Sequence, residues 1–104
     1  EAAQLDASLL GRPLTLRVEV HVHDEHPLRT AGLRQRIAGE PAVQQCYAIT
    51  GEADYMIKVV VPDMKAYDRF LQERLFKLKG VSSIRTNVVL REVKYETALP
   101  LPPA

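Results

Sequence analysis

The stretch "ITGEADYMIKV", residues 49–59, joins two apolar segments through a short acidic turn. Gly51 gives the backbone the freedom that a tight turn needs. The segments on either side, "AVQQCYAIT" (42–50) and "YMIKVVV" (55–61), are typical of β-strands. The stretch therefore predicts a β-hairpin, with Asp54 directly before the second strand.

In the segments that flank this hairpin, apolar residues recur at the spacing of a strand or of a helix. Residues 14–23, "LTLRVEVHVH", alternate between apolar and polar side chains, which predicts a strand. Residues 24–38 predict a helix, and residues 64–78 predict a second, more strongly amphipathic helix with Asp63 as its N-cap. A last strand is expected from Val81 to about Val93. The predicted order is therefore βαββαβ.

This order predicts an α+β, ferredoxin-like fold, in which two helices cover one face of an antiparallel sheet. The runs "KVVV" (58–61) and "NVVL" (87–90) place apolar residues at consecutive positions, which indicates strands that are apolar on both faces. The two helices can cover only one of those faces. We therefore expect a homodimer that packs sheet against sheet through the other face.

Composition limits the possible functions. The chain has 104 residues, 46% of them hydrophobic and 26% charged, which is typical of one soluble globular domain. Its formal net charge of +1 argues against broad contact between this chain itself and a phosphate backbone. No apolar run is long enough to cross a membrane, and the single cysteine, Cys46, fits a packed thiol in a cytoplasmic protein.

The stretch "HVHDEH" (21–26) is a candidate metal site, because His21 and His23 share one strand face and carboxylates follow. Zinc sites usually take ligands from a second element as well, and the only other histidine is His26. A polar strand face at a subunit surface is the favoured interpretation, and no metal or cofactor is predicted. The sequence also shows no convincing set of residues for acid–base or nucleophilic catalysis, so we do not expect an enzyme.

Two interpretations of the hairpin carboxylate stay open from the residues alone. Asp54 either satisfies nearby backbone amides as part of an ordinary turn, or it presents a negative charge to the ammonium group of a zwitterion. In the second case, the segment "RTNVV" (85–89) offers polar partners, and Met64 or Val88 would select ligand side chains by size.

Residues 46–94 strongly resemble the effector domain of the Lrp/AsnC family of transcriptional regulators, closest to its leucine-responsive branch. The resemblance depends on "TGEADY" (50–55), "VPDMKAY" (61–67) and "RTNVVLREVK" (85–94) in combination, since "GEADY" alone is a weak signal. Residues 5–22 are similar to the linker and first strand that follow the DNA-binding part in this family.

The resemblance implies a RAM domain, the regulation-of-amino-acid-metabolism module, which forms homodimers that often assemble into octamers. It also implies a small-molecule effector, typically an amino acid, bound between dimers so that it shifts assembly or DNA affinity. Relatives carry an aromatic residue where this chain has Asn87, a departure that bears on ligand preference. The candidate effector-binding residues are Gly51, Glu52, Asp54, Tyr55, Met64, Thr86, Asn87 and Val88.

We therefore expect a linker at residues 1–13, a RAM domain at 14–97 and a C-terminal tail at 98–104. DNA contact would belong to an N-terminal helix-turn-helix, which is not in this chain, so a trimmed regulator is expected over a stand-alone metabolite-binding module. A small dimeric metal enzyme that uses His21, His23 and His26 is the third alternative.

Overall fold

The computed structural model describes residues 12–23 and 27–100, and it confirms the predicted βαββαβ order. Both hairpin strands form where the sequence places them, and a π-helical segment extends the second helix. The elements are β1 (Leu14–Val22), α1 (Pro27–Ala38), β2 (Val43–Ala48), β3 (Tyr55–Val61), α2 (Met64–Phe70), the π-helical segment Leu71–Leu75, and β4 (Val81–Val88).

The four strands form one antiparallel sheet in the order β2-β3-β1-β4. In the middle of the sheet, Val18 of β1 lies opposite Ile57 of β3 on one side and Thr86 of β4 on the other. This is the topology of a ferredoxin-like fold, with β1 and β3 at its centre. None of the helices in the described part of the chain is long and apolar enough to cross a membrane.

The core lies between the sheet and the helices. The period of two in β1 is confirmed, since Leu16, Val18 and Val20 are fully buried. Ile57 and Val59 of β3 face the same side, and Ile37 of α1 closes the core above the sheet. Alternate residues of the central strands therefore supply most of the apolar surface that stabilises the fold.

The second helix begins as predicted but ends differently. The carboxylate of Asp63 accepts a hydrogen bond from the Ala66 N–H at 2.8 Å, which confirms the N-cap. The expected regular helix to residue 78 is wrong, because the Phe76 N–H donates to the Leu71 carbonyl oxygen, five residues back. This wider turn keeps Leu75 buried, and the chain then reverses at Gly80, whose φ of 103° suits glycine.

The expected last strand to about Val93 is also wrong, since β4 ends at Val88. The Val89 N–H still donates to the Thr15 carbonyl oxygen at 2.9 Å. Beyond that point β1 has no more residues to pair, because it begins at Leu14, directly after Pro13. Residues 89–100 leave the sheet without regular secondary structure and are here called the C-terminal arm, in which Val93 and Tyr95 are exposed.

The sheet surface that faces away from the helices, here called the outer face, is less apolar than expected. Of "KVVV" (58–61), Val59 and Val61 lie in the core and only Val60 faces outward. At the centre of the outer face Arg17 lies directly opposite Lys58. The expectation of two apolar faces is therefore wrong for the centre of the sheet, because the strand alternation sends the charges outward together.

Candidate functional site

Asp54 forms hydrogen bonds to the end of β1 through both its side chain and its backbone. Its Oδ2 accepts a hydrogen bond from the Val22 N–H at 2.8 Å, and its own N–H donates to the Val20 carbonyl oxygen at 3.0 Å. Its carbonyl oxygen accepts from the Ile49 N–H at 3.1 Å, which closes the hairpin. Asp54 therefore satisfies a nearby backbone amide, as the interpretation of an ordinary turn predicts, while its side chain stays exposed at the surface.

The other hairpin candidates divide between the surface and the core. Gly51 has a φ of 107°, a conformation that L side chains rarely adopt, and Glu52 beside it is exposed. Tyr55 is 7% exposed and packs on the core side, opposite Val20. The hairpin therefore presents the carboxylates of Glu52 and Asp54 to solvent, whereas the Tyr55 side chain packs in the core.

A second group of candidates lies where α2 passes over β4. The Tyr67 hydroxyl and the Thr86 Oγ1 are 2.5 Å apart, which joins the helix to the strand. Met64 lies one helical turn before Tyr67, and Val88 lies two residues beyond Thr86 on the same strand face. Met64 is 50% exposed and Val88 is 42% exposed, so this end of the sheet carries an accessible apolar patch.

Asn87 does not join this patch. It lies opposite Arg17 on the outer face, and its Nδ2 donates to the Glu19 Oε2 at 3.2 Å and to the Arg17 carbonyl oxygen at 3.4 Å. Asn87 therefore points away from Thr86 and Val88 and donates a hydrogen bond to a carboxylate on the outer face.

The hairpin candidates lie at one end of the sheet and Met64 and Val88 lie at the other, with Thr86 between them. The hairpin group lies beside the start of β3 at Tyr55, and the Met64 group follows its end at Val61. A seven-residue strand separates them by about 20 Å. One chain therefore does not bring the eight candidates into a single pocket.

Two groups on the helix-covered side have altered acidity. Burial raises the pKa of the Tyr67 hydroxyl, and the hydrogen bond with Thr86 opposes that rise. Burial also raises the pKa of the Cys46 thiol, against a smaller opposite effect of Arg34. A thiol held in its neutral form is a weak nucleophile, in line with the expectation that Cys46 is a packed residue.

No cluster of three or more metal-ligand side chains occurs within residues 12–23 and 27–100. His21 lies on the outer face of β1 and His23 follows the end of that strand, while Asp24, Glu25 and His26 fall outside the described residues. The metal hypothesis for "HVHDEH" therefore stays a sequence prediction.

A basic groove of about 900 Å³, which the sequence patterns did not predict, lies between the C-terminal arm and the outer face. Five basic side chains and one acidic side chain line it, namely Arg12, Arg17, Lys58, Arg91, Lys94 and Glu92. These positions are scattered along the chain, so only the strand order reveals that they lie together. In the sequence, the one indication of this groove is that basic residues occur both before β4 and directly after it, the latter at Arg91 and Lys94.

Comparison with known proteins agrees with the fold. Residues 15–99 match the Lrp/AsnC ligand binding domain family. A transcriptional regulator from Neisseria meningitidis, solved as a complex with L-Met, superposes with a TM-score of 0.79 at 28% identity, over 96% of this chain and 64% of that chain. An AsnC family transcriptional regulator from Agrobacterium tumefaciens gives a TM-score of 0.77 at 26% identity, over 96% and 65%.

Curated relatives are regulators as well. The Bkd operon transcriptional regulator of Pseudomonas aeruginosa is 35% identical over 99 residues, which cover 95% of this chain and 65% of that protein. The leucine-responsive regulatory protein of Escherichia coli K12 is 37% identical over 95 residues, which cover 91% and 55%. The chain thus spans between half and two thirds of their length. It belongs to the Lrp/AsnC ligand-binding domain family of transcriptional regulators.

Proposed function

We propose that this chain is the effector-sensing and oligomerisation domain of a cytoplasmic, DNA-binding transcriptional regulator. The effector is an amino acid or a related metabolite, bound where subunits meet, and assembly proceeds through dimers toward octamers. DNA is bound through a separate N-terminal module. The ligand acts by linkage, because it shifts assembly only by the difference between its affinities for the two states.

One observation carries the proposal. The exposed candidates form two groups about 20 Å apart, one acidic at the hairpin and one apolar at Met64 and Val88. A zwitterionic amino acid needs both kinds of contact, a carboxylate for its ammonium group and an apolar surface for its side chain. Two copies of the chain supply both when the hairpin of one lies against the Met64 end of another. The neisserial relative, solved with L-Met, supports an amino acid as the ligand class.

Calorimetric titration of the chain with L-Met, L-Leu and the other amino acids tests the proposal. We expect at least one to bind with a saturable heat and to change the sedimentation coefficient. The decisive variant is Asp54→Asn, because the amide oxygen still accepts the hydrogen bond from the Val22 N–H, whereas the negative charge is gone. The fold should survive and the ammonium contact should be lost.

Asp68→Asn is the matched control, since it removes one carboxylate from an exposed position of α2. Loss of binding in Asp54→Asn and normal binding in Asp68→Asn would support the site. Equal binding in both variants would place the ligand elsewhere, and no heat with any amino acid would remove the proposed effector class.

A further inference from the structure

Tyr67 of α2 and Thr86 of β4 form a polar contact beside the apolar patch. Thr86 lies on the helix-covered side of β4, opposite Val18, with Val88 two residues along the same strand face. The Tyr67 hydroxyl and the Thr86 Oγ1 are 2.5 Å apart. Tyr67 is only 3% exposed, whereas Thr86 is exposed. The contact therefore joins a buried hydroxyl to one that solvent or a ligand can reach.

The positions of the two hydroxyl protons follow from that difference in burial. Each hydroxyl has one proton to donate and can also accept. If Thr86 donated to Tyr67, the Tyr67 proton would need a second acceptor where water hardly reaches, and no other hydrogen bond of this hydroxyl occurs among the described residues. A buried donor without an acceptor is costly. The Tyr67 O–H therefore donates to the Thr86 Oγ1, and the Thr86 proton is left to donate outward.

The contact with Tyr67 also makes Thr86 a stronger and better oriented donor. Burial raises the pKa of the Tyr67 hydroxyl, so it keeps its proton at neutral pH. A hydroxyl that accepts a hydrogen bond becomes a stronger donor in turn, because the two bonds polarise each other. Threonine is β-branched and has few side-chain rotamers, and the bond to Tyr67 selects one of them. Thr86 therefore presents its proton in one direction, which suits an anionic acceptor.

The surroundings of Thr86 match one end of an amino acid. Met64 and Val88 beside it provide accessible apolar surface. Thr86 and Val88 lie about 7 Å apart along the strand, a distance that the side chain and the carboxylate of one amino acid can span. A ligand side chain on the apolar patch thus brings the ligand carboxylate within reach of Thr86. The ammonium group is left for Asp54 of another copy.

We propose that Tyr67 is a positioning residue of the effector site, whose hydroxyl holds the Thr86 hydroxyl as a donor to the carboxylate of the amino acid. Tyr67 acts through Thr86 and does not touch the ligand, since it is buried beneath α2. This role rests on the proposed function and deepens it, because it assigns the ligand carboxylate to a named donor. Tyr67 was not among the candidates from the sequence, since only the structure shows its bond to Thr86.

Removal of each hydroxyl tests this role. Calorimetry measures the dissociation constants of the amino acids titrated above and, for each that binds, of the amine without its carboxylate, such as 3-methylbutylamine for L-Leu. Tyr67→Phe should weaken amino-acid binding about 3- to 10-fold, and Thr86→Val at least about 10-fold. Both variants should bind the amine as the wild type does, because it has no carboxylate to lose. A purely structural role of Tyr67 would weaken both ligands in the same proportion.

A double-variant cycle gives a second readout, which decides even where the amine binds too weakly to measure. In the Thr86→Val background, Tyr67→Phe should cost no further affinity, because no hydroxyl is left to hold. Thr86→Ser keeps the hydroxyl and should restore most of the affinity. Tyr47→Phe, at an exposed position of β2, is the matched control and should bind like the wild type. Circular dichroism verifies that each variant is folded during the titration.

Weaker amino-acid binding by Tyr67→Phe, with no further loss in the double variant, supports the positioning role. Equal binding by Tyr67→Phe and the wild type, additive losses in the double variant, or an equal loss for the amine overturns that role and leaves the proposed function standing. A wild-type chain that binds none of the amino acids overturns both.

Discussion

The two faces of the sheet are built from alternate residues of the same strands, yet they have opposite properties. On the helix-covered face, Leu16, Val18 and Ile57 are fully buried. On the outer face, their sequence neighbours Arg17 and Lys58 oppose each other with no carboxylate of the described chain paired to them. The first face explains why the chain folds, and the second presents like charges side by side at the surface.

Neighbouring residues of β3 offer the sharpest contrast between the faces. Ile57→Ala should lower the free energy of unfolding by about 2–5 kcal/mol, because it leaves a cavity in the closed core. Met56→Ala, one residue away on the outer face, should cost much less in the isolated subunit, since Met56 is only half-buried. Urea unfolding followed by circular dichroism measures both values. Similar losses would show that the outer face contributes to subunit stability as much as the core does.

Tyr67 of α2 and Tyr47 of β2 give the next largest difference. Tyr67→Phe should lower the free energy of unfolding by about 1 kcal/mol, because the hydroxyl bonded to Thr86 is lost beneath α2. Tyr47→Phe, on the outer face and 49% exposed, should change it by no more than about 0.5 kcal/mol. The same unfolding experiment at neutral pH distinguishes them.

The pH dependence of Tyr67 adds an independent check. Its pKa is raised in the folded state above the ordinary value of 10.0, so the folded chain binds more protons than the unfolded chain above that pH. Its contribution is fully present below pH 10 and is lost as the pH rises through the folded pKa. The wild type should therefore lose stability more steeply than Tyr67→Phe at alkaline pH, and parallel slopes would contradict this assignment.

The smallest effect on folding is expected at Asn87. Its hydrogen bonds to Glu19 and to the Arg17 carbonyl oxygen lie at the surface, so Asn87→Ala should change the free energy of unfolding by no more than about 0.5 kcal/mol. A loss as large as that of Ile57→Ala would contradict the surface position assigned to Asn87.

Local sequence signals predicted what depends on local structure. The alternation in residues 14–23 identified the buried side of β1, and the apolar run 55–61 matches β3 to the residue. The end of β4 was missed, because it depends on where β1 begins to offer partners. The opposition of Arg17 and Lys58 was missed for a related reason, since the register between strands follows from the assembled sheet.

The candidate site shows the same limit. The sequence placed Asp54 against the hairpin strand, but the periodicity of residues does not tell that its carboxylate reaches back to the Val22 N–H. Nor does it tell that Asn87 lies on the opposite face from Thr86 and Val88, since a one-residue change in register exchanges the two faces of a strand.

The most direct test of the account is the mass of the chain in solution, measured by sedimentation velocity across a dilution series at low and high salt. The proposed assembly predicts a particle of twice the 11.7 kDa chain mass, or a multiple of that dimer, which dissociates on dilution. A well-folded particle of 11.7 kDa at every concentration would contradict it, because the outer face would then need no second copy.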